Sequence, residues 1–210
     1  MSPHLHCLPR PLVRPLVRSL LAALLLLLLT ACHQVESPSL PRGGKRAAVP
    51  DVHEDRGLTL KARSLRVQDG DSFIAQLDDG SRRTIRLSGI DAPERSQPAA
   101  DASQQNLRRL LENRDLQVQV AKTDPYGRAV AQVFVEQEGR RVDIGLSQVA
   151  AGMAWFYRHY RQDLPAGAGD RYAEAEREAR EAMRGLWRAD HPQPPWEFRR
   201  HPETNPSPRR

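Results

Sequence analysis

The feature that most constrains this chain is where its prolines fall. Of 17 prolines in 210 residues, seven lie in 1–57, four in 58–187 and six in 188–210. Proline fixes its own φ and donates no backbone hydrogen bond, so it resists the interior of helices and sheets. The proline-poor middle, about 58–187, is therefore the part free to build a core, and its length suffices for one domain. The flanks divide at residue 31: a leader over 1–31, a flexible tether over 32–57, and a Pro/Arg-rich tail over 188–210.

Arg10, Arg14 and Arg18 precede an uninterrupted apolar run, Leu20 to Leu29. That run is too short to span a bilayer comfortably and fits the apolar region of a secretory signal. Leu29-Thr30-Ala31-Cys32 then resembles the bacterial lipobox, in which the cysteine is lipidated and becomes the first mature residue. The expectation is an exported lipoprotein attached to the cell envelope through Cys32. His33, two positions into the mature chain, resembles outer-membrane sorting in Gram-negative lipoproteins. Cys7 and Cys32 are the two cysteines, which excludes a disulfide scaffold and a multi-cysteine metal site.

The formal net charge of +6 invites a nucleic-acid reading. Its distribution weakens that argument. The leader carries +3, the tether is neutral, the tail carries +2, and residues 58–187 carry only +1, from 20 basic and 19 acidic groups. Any affinity for phosphate must come from local arrangement, and almost wholly from Arg, because only three of 32 cations are Lys.

Periodicity gives the outline of a fold. Leu58, Leu60, Ala62, Leu65 and Val67 suggest a first strand. Phe73, Ala75 and Leu77 alternate up to Asp78-Asp79-Gly80, and Thr84 to Leu87 follow, a hairpin signal. Leu107, Leu110 and Leu111 mark a helix of about three turns after Pro98. Leu116 to Val120 and Val130 to Val135 alternate across a Thr123-Asp124-Pro125-Tyr126-Gly127 loop. Asp143 is placed to cap a short helix ending near Gly152. A charged helix over 170–184 puts Tyr172, Ala175, Ala179, Ala182 or Met183, and Leu186 on one face. Three strands, a helix, two strands and further helices make an α+β chain. Its order is that of a five-stranded OB-fold β-barrel with about three packed helices, and periodicity alone also allows a sandwich or an open sheet.

Three segments concentrate polar groups that a plain core would not need. They are Asp69-Gly70-Asp71-Ser72, Arg86-Leu87-Ser88-Gly89-Ile90-Asp91-Ala92-Pro93-Glu94, and Asp124-Pro125-Tyr126-Gly127-Arg128. Each alone is an ordinary turn. Together they supply carboxylates for a hard cation (Asp69, Asp71, Asp91), a further carboxylate (Glu94), and two guanidiniums suited to phosphate oxygens (Arg86, Arg128). Those are the parts that phosphodiester hydrolysis needs.

In this order the three segments resemble the staphylococcal (micrococcal) nuclease family, over roughly residues 58–188. The resemblance includes Gly152-Met153-Ala154-Trp155 and Arg184-Gly185-Leu186-Trp187. It implies a Ca²⁺ site made by Asp71, Asp91 and the backbone carbonyl of Ala92, with Asp69 contacting a metal-bound water. It implies Glu94 as general base or water orienter, and Arg86 and Arg128 as transition-state donors. Tyr126 would contact a substrate phosphate. DNA and RNA would be cut to 5′-hydroxyl and 3′-phosphate ends. The expected partner is DNA and/or RNA, single-stranded or locally opened, and the chain is expected to act as a monomer. Ala92 stands where Thr is usual, and Pro125 where Lys often precedes the Tyr.

Other segments carry weaker signals. Trp155, Phe156, Tyr157 and Tyr160 could stack bases or pack a core. Pro194-Pro195-Trp196-Glu197-Phe198 is expected to fold back and dock its aromatics, and His53-Glu54-Asp55 reads as a solvated cluster in the tether. The competing function is an OB-fold module that binds nucleic acid or protein without cleaving it. A relative of that kind is expected to lose members of the set Asp71, Arg86, Asp91, Glu94 and Arg128, all of which are present.

Overall fold

A computed structural model describes residues 56–200. The leader, Cys32 and the His53-Glu54-Asp55 cluster lie outside them. Strands β1 (Thr59–Val67), β2 (Ser72–Leu77) and β3 (Arg82–Leu87) are followed by the two-residue β4 (Ile90–Asp91) and helix α1 (Ala100–Leu111). Then come β5 (Leu116–Thr123), β6 (Ala129–Gln137), β7 (Arg140–Asp143), α2 (Ile144–Ala150) and β8 (Trp155–Phe156). A 3₁₀ segment Arg158–Asp163, helix α3 (Ala168–Glu181), a 3₁₀ turn Gly185–Arg188 and the short α4 (Pro195–Phe198) complete the order.

The sheet runs β3-β2-β1-β5-β6-β7, and β3 also pairs with β6 in parallel, with Ile85 opposite Ala129 and Arg86 opposite Val130. That pairing closes β1, β2, β3, β5 and β6 into a five-stranded barrel, the expected OB-fold topology. Alternation puts Phe73, Ala75, Ile85, Leu116, Val118, Ala129, Ala131 and Val133 inside it, each buried. Fully burying a side chain such as Phe73 contributes about 2 kcal/mol. Leu107 and Leu111 of α1, Val149 of α2 and Tyr172 of α3 join the same core.

The hairpin turn at Asp79-Gly80, the three-turn α1, and the cap of α2 by Asp143 Oδ1 on the Leu146 N–H (3.2 Å) match the sequence pattern. Other details differ. Leu58 and Leu65 are exposed, and a bulge between Ser64 and Arg66 interrupts the alternation of β1. Helix α3 ends at Glu181, and Met183 takes a left-handed φ of 48° with its side chain in solvent. Glu176, between Tyr172 and Ala179 on the packed face of α3, is buried despite its charge: it accepts the Phe156 N–H (3.0 Å) and pairs with Arg158 (3.2 Å) and Arg180 (3.3 Å). The period points it inward, and the outer edge of β8 supplies the donor that compensates its burial.

A second, smaller cluster joins Trp155, Ala179, Leu186 and Trp187. Its hinge is a pair of glycines. Gly152 and Gly185 both have positive φ (66° and 53°), and the Leu186 N–H donates to the Gly152 carbonyl at 2.8 Å. Because β8 pairs with β4, placing Asp91 opposite Trp155, this cluster backs a residue of the site directly.

Candidate active site

Four consecutive pieces of backbone converge at one end of the barrel. The Asp69–Ser72 turn enters β2, and Asp69 Oδ1 accepts the Asp71 N–H at 3.1 Å, so one aspartate orients the next. Asp71 Oδ1 accepts the Ser72 hydroxyl (2.8 Å) and Oδ2 accepts the Ala92 N–H (2.7 Å), which ties this turn to β4 across 21 residues. The Leu87 N–H donates to the Asp71 carbonyl (2.8 Å), which locks the end of β3 to the same turn.

Arg86, near the end of β3, lies between the two carboxylates. Its Nη2 donates to Asp91 Oδ1 at 3.0 Å, and its Nη1 is 2.5 Å from Asp71 Oδ2. The second contact is an ion pair without hydrogen-bond alignment, so buried Nη1 keeps donor capacity that no protein acceptor takes up. Burial would lower the Arg86 pKa, but Asp71, Asp91 and Asp69 outweigh it and hold the guanidinium charged. Asp91 is pushed upward, by burial first, against the pull of Arg199 and Arg86.

Arg128 enters from the other side of the closing seam. Asp124 organises its loop: Oδ1 accepts the N–H groups of Tyr126 and Arg128, both at 2.9 Å, and Oδ2 holds Arg128 Nε at 2.7 Å. Because β3 and β6 are adjacent, Arg86 and Arg128 line one cleft of about 150 Å³, with Tyr126, Lys122, Tyr160 and Asp163. Lys122 pairs with Asp163 (2.7 Å) and sits 5.1 Å from the Tyr160 ring centroid. Tyr126 is 84% exposed, on the outer lip, where a ligand can reach it. Glu94 sits in the loop after β4, its N–H held by Gln97 Oε1 (2.9 Å) and its carboxylate open to solvent on one side.

The sequence motifs are thus brought together: Asp69, Asp71, Arg86, Asp91 and Ala92 form one hydrogen-bonded unit, with Arg128 and Tyr126 across the cleft. Trp155 and Phe156 are core residues, while Tyr157 and Tyr160 are outer, and Tyr160 alone of the four lines the cleft. Sequence reasoning missed three participants. Asp124 positions Arg128, Gln97 positions Glu94, and Arg199 contacts Asp91 and Glu94 from 105 residues or more along the chain. An Asx-turn pattern four residues before Arg128 was a usable signal for Asp124; no local signal marks Arg199.

Among the described residues, no three His, Cys, Asp or Glu side chains gather on one point as a ready metal cage. The donor chemistry nonetheless suits a hard cation. Among the described residues, Asp71, Asp91 and Glu94 form ion pairs with Arg86 and Arg199 alone, and Asp69 lies beside Asp71, so four carboxyl groups share two cations. Asp69 registers that excess: burial, then the neighbouring Asp71 charge, raises its pKa from 3.8 to about 7. A raised carboxyl pKa means the folded state holds the proton more tightly than the unfolded one. The stability this gives is complete below about pH 4 and lost as pH climbs toward 7. In EGTA, Asp69→Asn should therefore gain stability on the wild type as pH rises from 4 to 7. Urea denaturation across that range checks this, and a pH-independent difference would contradict it.

A five-stranded OB barrel with paired guanidiniums and buried carboxylates at one mouth is the frame of a phosphodiester-cleaving enzyme. Comparisons with known proteins agree. The family described as Staphylococcal nuclease homologue matches residues 84–189, a span holding Arg86, Asp91, Ala92, Glu94, Tyr126 and Arg128. An uncharacterized endonuclease of Escherichia coli O157:H7 is 34% identical over 142 residues, covering 67% of this chain and 85% of that protein. Micrococcal nuclease of Shigella flexneri is 33% identical over 146 residues, covering 67% and 81%. The probable staphylococcal-like nuclease CAN1 of Oryza sativa is 34% identical over 180 residues, and the match spans about half of that longer protein (49%). The chain belongs to the staphylococcal nuclease family and is a nuclease. The family is metal-dependent and acts on nucleic acid.

Proposed function

We propose that this nuclease is a Ca²⁺-dependent endonuclease that hydrolyses DNA and/or RNA to 5′-hydroxyl and 3′-phosphate ends. The observation that carries the reading is Arg86, buried between Asp71 and Asp91 with an unused donor at the mouth of a cleft it shares with Arg128. Asp71, Asp91 and the Ala92 carbonyl are the residues to hold the cation, with Asp69 toward its water. The cation supplies charge neutralisation at the scissile phosphate.

The side chains divide the rest of the work. Arg86 directs N–H groups at a non-bridging phosphate oxygen, where negative charge grows as phosphorus becomes five-coordinate. Glu94 orients a water and accepts its proton as the new P–O bond forms. The P–O5′ bond breaks on the opposite side, and the departing 5′ oxygen takes a proton from solvent water and leaves as a hydroxyl. Arg128, held rigid by Asp124, donates to the phosphoryl group on the leaving-group side. Tyr126 offers its hydroxyl to a neighbouring phosphate, and the exposed ring of Tyr160 offers a face to a base.

Export and attachment to the envelope through lipidated Cys32, with the domain acting as a monomer, belong to the same proposal. They are supported by the leader pattern and lipobox.

The test is cleavage of denatured DNA followed by end analysis. Activity should vanish in EGTA and return with Ca²⁺. The fragments should accept a 5′ phosphate from polynucleotide kinase without prior phosphatase. Undiminished cutting in EGTA, or 5′-phosphate ends, would overturn the proposal. Tight binding of DNA with no cleavage under any cation would favour the binding-module reading instead.

A further inference from the structure

The tail does more than cover surface. Arg199, directly after α4, reaches back to the site. Its Nη1 lies 2.6 Å from Glu94 Oε1 and 3.3 Å from Asp91 Oδ1, and its Nη2 lies 2.8 Å from Asp91 Oδ2. One guanidinium therefore spans a carboxylate assigned to the cation and the carboxylate assigned to the water.

Two further contacts seat the segment independently. Trp196 stacks on Tyr157, with ring centroids 4.8 Å apart and planes 15° from parallel, and meets Trp155 edge-on at 6.4 Å. Gln97 Nε2 donates to the Gln193 carbonyl (2.9 Å), while Oε1 of the same side chain accepts the Glu94 N–H (2.9 Å). Gln97 thus couples the Glu94 loop to the tail. All the tail residues involved lie beyond 189, where the match to the family model stops.

We propose, resting on the nuclease reading above, that segment 190–200 is an autoinhibitory strap whose Arg199 competes with the cation for Asp91 and Glu94. Arg86 already holds Asp91 Oδ1, so Arg199 on Oδ2 takes the oxygen that remains for a divalent cation and would face that cation's charge directly. Glu94 is likewise engaged: the oxygen that would take the proton of water already accepts from Arg199. The Arg199 side chain is 46% exposed although Asp91 is buried, so water can take up the guanidinium as a cation displaces it. The Trp196 stack keeps the strap nearby when Arg199 lets go. The device makes the enzyme silent at low Ca²⁺ and active above a threshold.

The test uses the full chain, Arg199→Gln and Trp196→Ala, with three readouts. Calorimetric titration with Ca²⁺ and no nucleic acid should show either variant binding about tenfold more tightly than the wild type. Amide hydrogen exchange over 193–200 should be slow in the wild type in EGTA. It should be faster after Ca²⁺ is added, and fast in the variants without it. Cleavage at saturating Ca²⁺ should be equal in all three proteins, with the half-maximal Ca²⁺ concentration lowered in the variants.

If Arg199→Gln leaves Ca²⁺ affinity and exchange unchanged while the wild type still cuts, the strap is wrong and the nuclease reading stands. Loss of activity at saturating Ca²⁺ in Arg199→Gln also overturns the strap, because Arg199 would then be gripping phosphate. If no protein takes up Ca²⁺ or cuts, the calcium reading falls and takes the competition with it.

Discussion

Arg86→Lys is expected to lower kcat on denatured DNA by on the order of 10²-fold or more at saturating Ca²⁺. The loss is geometric rather than electrostatic. Lysine preserves the charge between Asp71 and Asp91, so the buried carboxylates are not abandoned, but it cannot present two planar N–H groups at once. In the wild type one arm of the fork holds Asp91 (3.0 Å) while the other lies against Asp71 without an aligned bond. That second arm is the one free to follow charge onto a phosphate oxygen, and lysine has no equivalent. Arg86→Ala separates the two roles. Without Ca²⁺ it should lose about 3 kcal/mol or more of stability, because a buried carboxylate pair loses its cation. Added Ca²⁺ should restore much of that stability but none of the activity. Steady-state kinetics beside melting curves in EGTA and Ca²⁺ decide it. Arg86→Lys activity within a few-fold of wild type would remove Arg86 from the transition state.

The second large effect concerns stability. Gly185→Ala is expected to cost at least about 3 kcal/mol, and Gly152→Ala a similar amount. Each has a positive φ, which alone costs an alanine about 1 kcal/mol. The remainder is a collision with rigid backbone. A Cβ at Gly185 would lie 2.2 Å from the Gly152 carbonyl oxygen, and one at Gly152 would lie 2.2 Å from the Arg184 carbonyl oxygen. Gly139 is the control: its φ is 71°, but nothing lies within 4 Å of an added Cβ, so Gly139→Ala should cost only the first amount. Chemical denaturation of the three variants measures the difference. Equal costs at Gly185 and Gly139 would show that the close approach is relieved cheaply.

The barrel was legible in the sequence because its information is local. Alternating Phe73, Ala75 and Leu77, the Asp79-Gly80 turn and alternating Val118 and Val120 each need only neighbours to be read. Met183 is less legible, because a left-handed φ at a residue other than glycine ends α3, and so is Glu176, whose compensating partners Phe156 and Arg158 lie 20 and 18 residues away. The site divides in the same way. Asp71, Arg86, Asp91 and Arg128 stood out because turn motifs frame them. Arg199 looked like one arginine among 29, and only the docking of Trp196 gives it a direction. The charge count was no guide at all, since the folded middle is nearly neutral.

The parallel seam between β3 and β6 has a consequence in time as well as in space. Arg86 and Arg128 stand on opposite sides of it, 42 residues apart, and face one cleft only after those strands have met. Closing such a non-local pairing carries the loop entropy of everything between, so it follows the local hairpins. A chain with only its first hairpin formed holds half of a phosphate clamp. It becomes able to damage nucleic acid only at the moment the cylinder shuts.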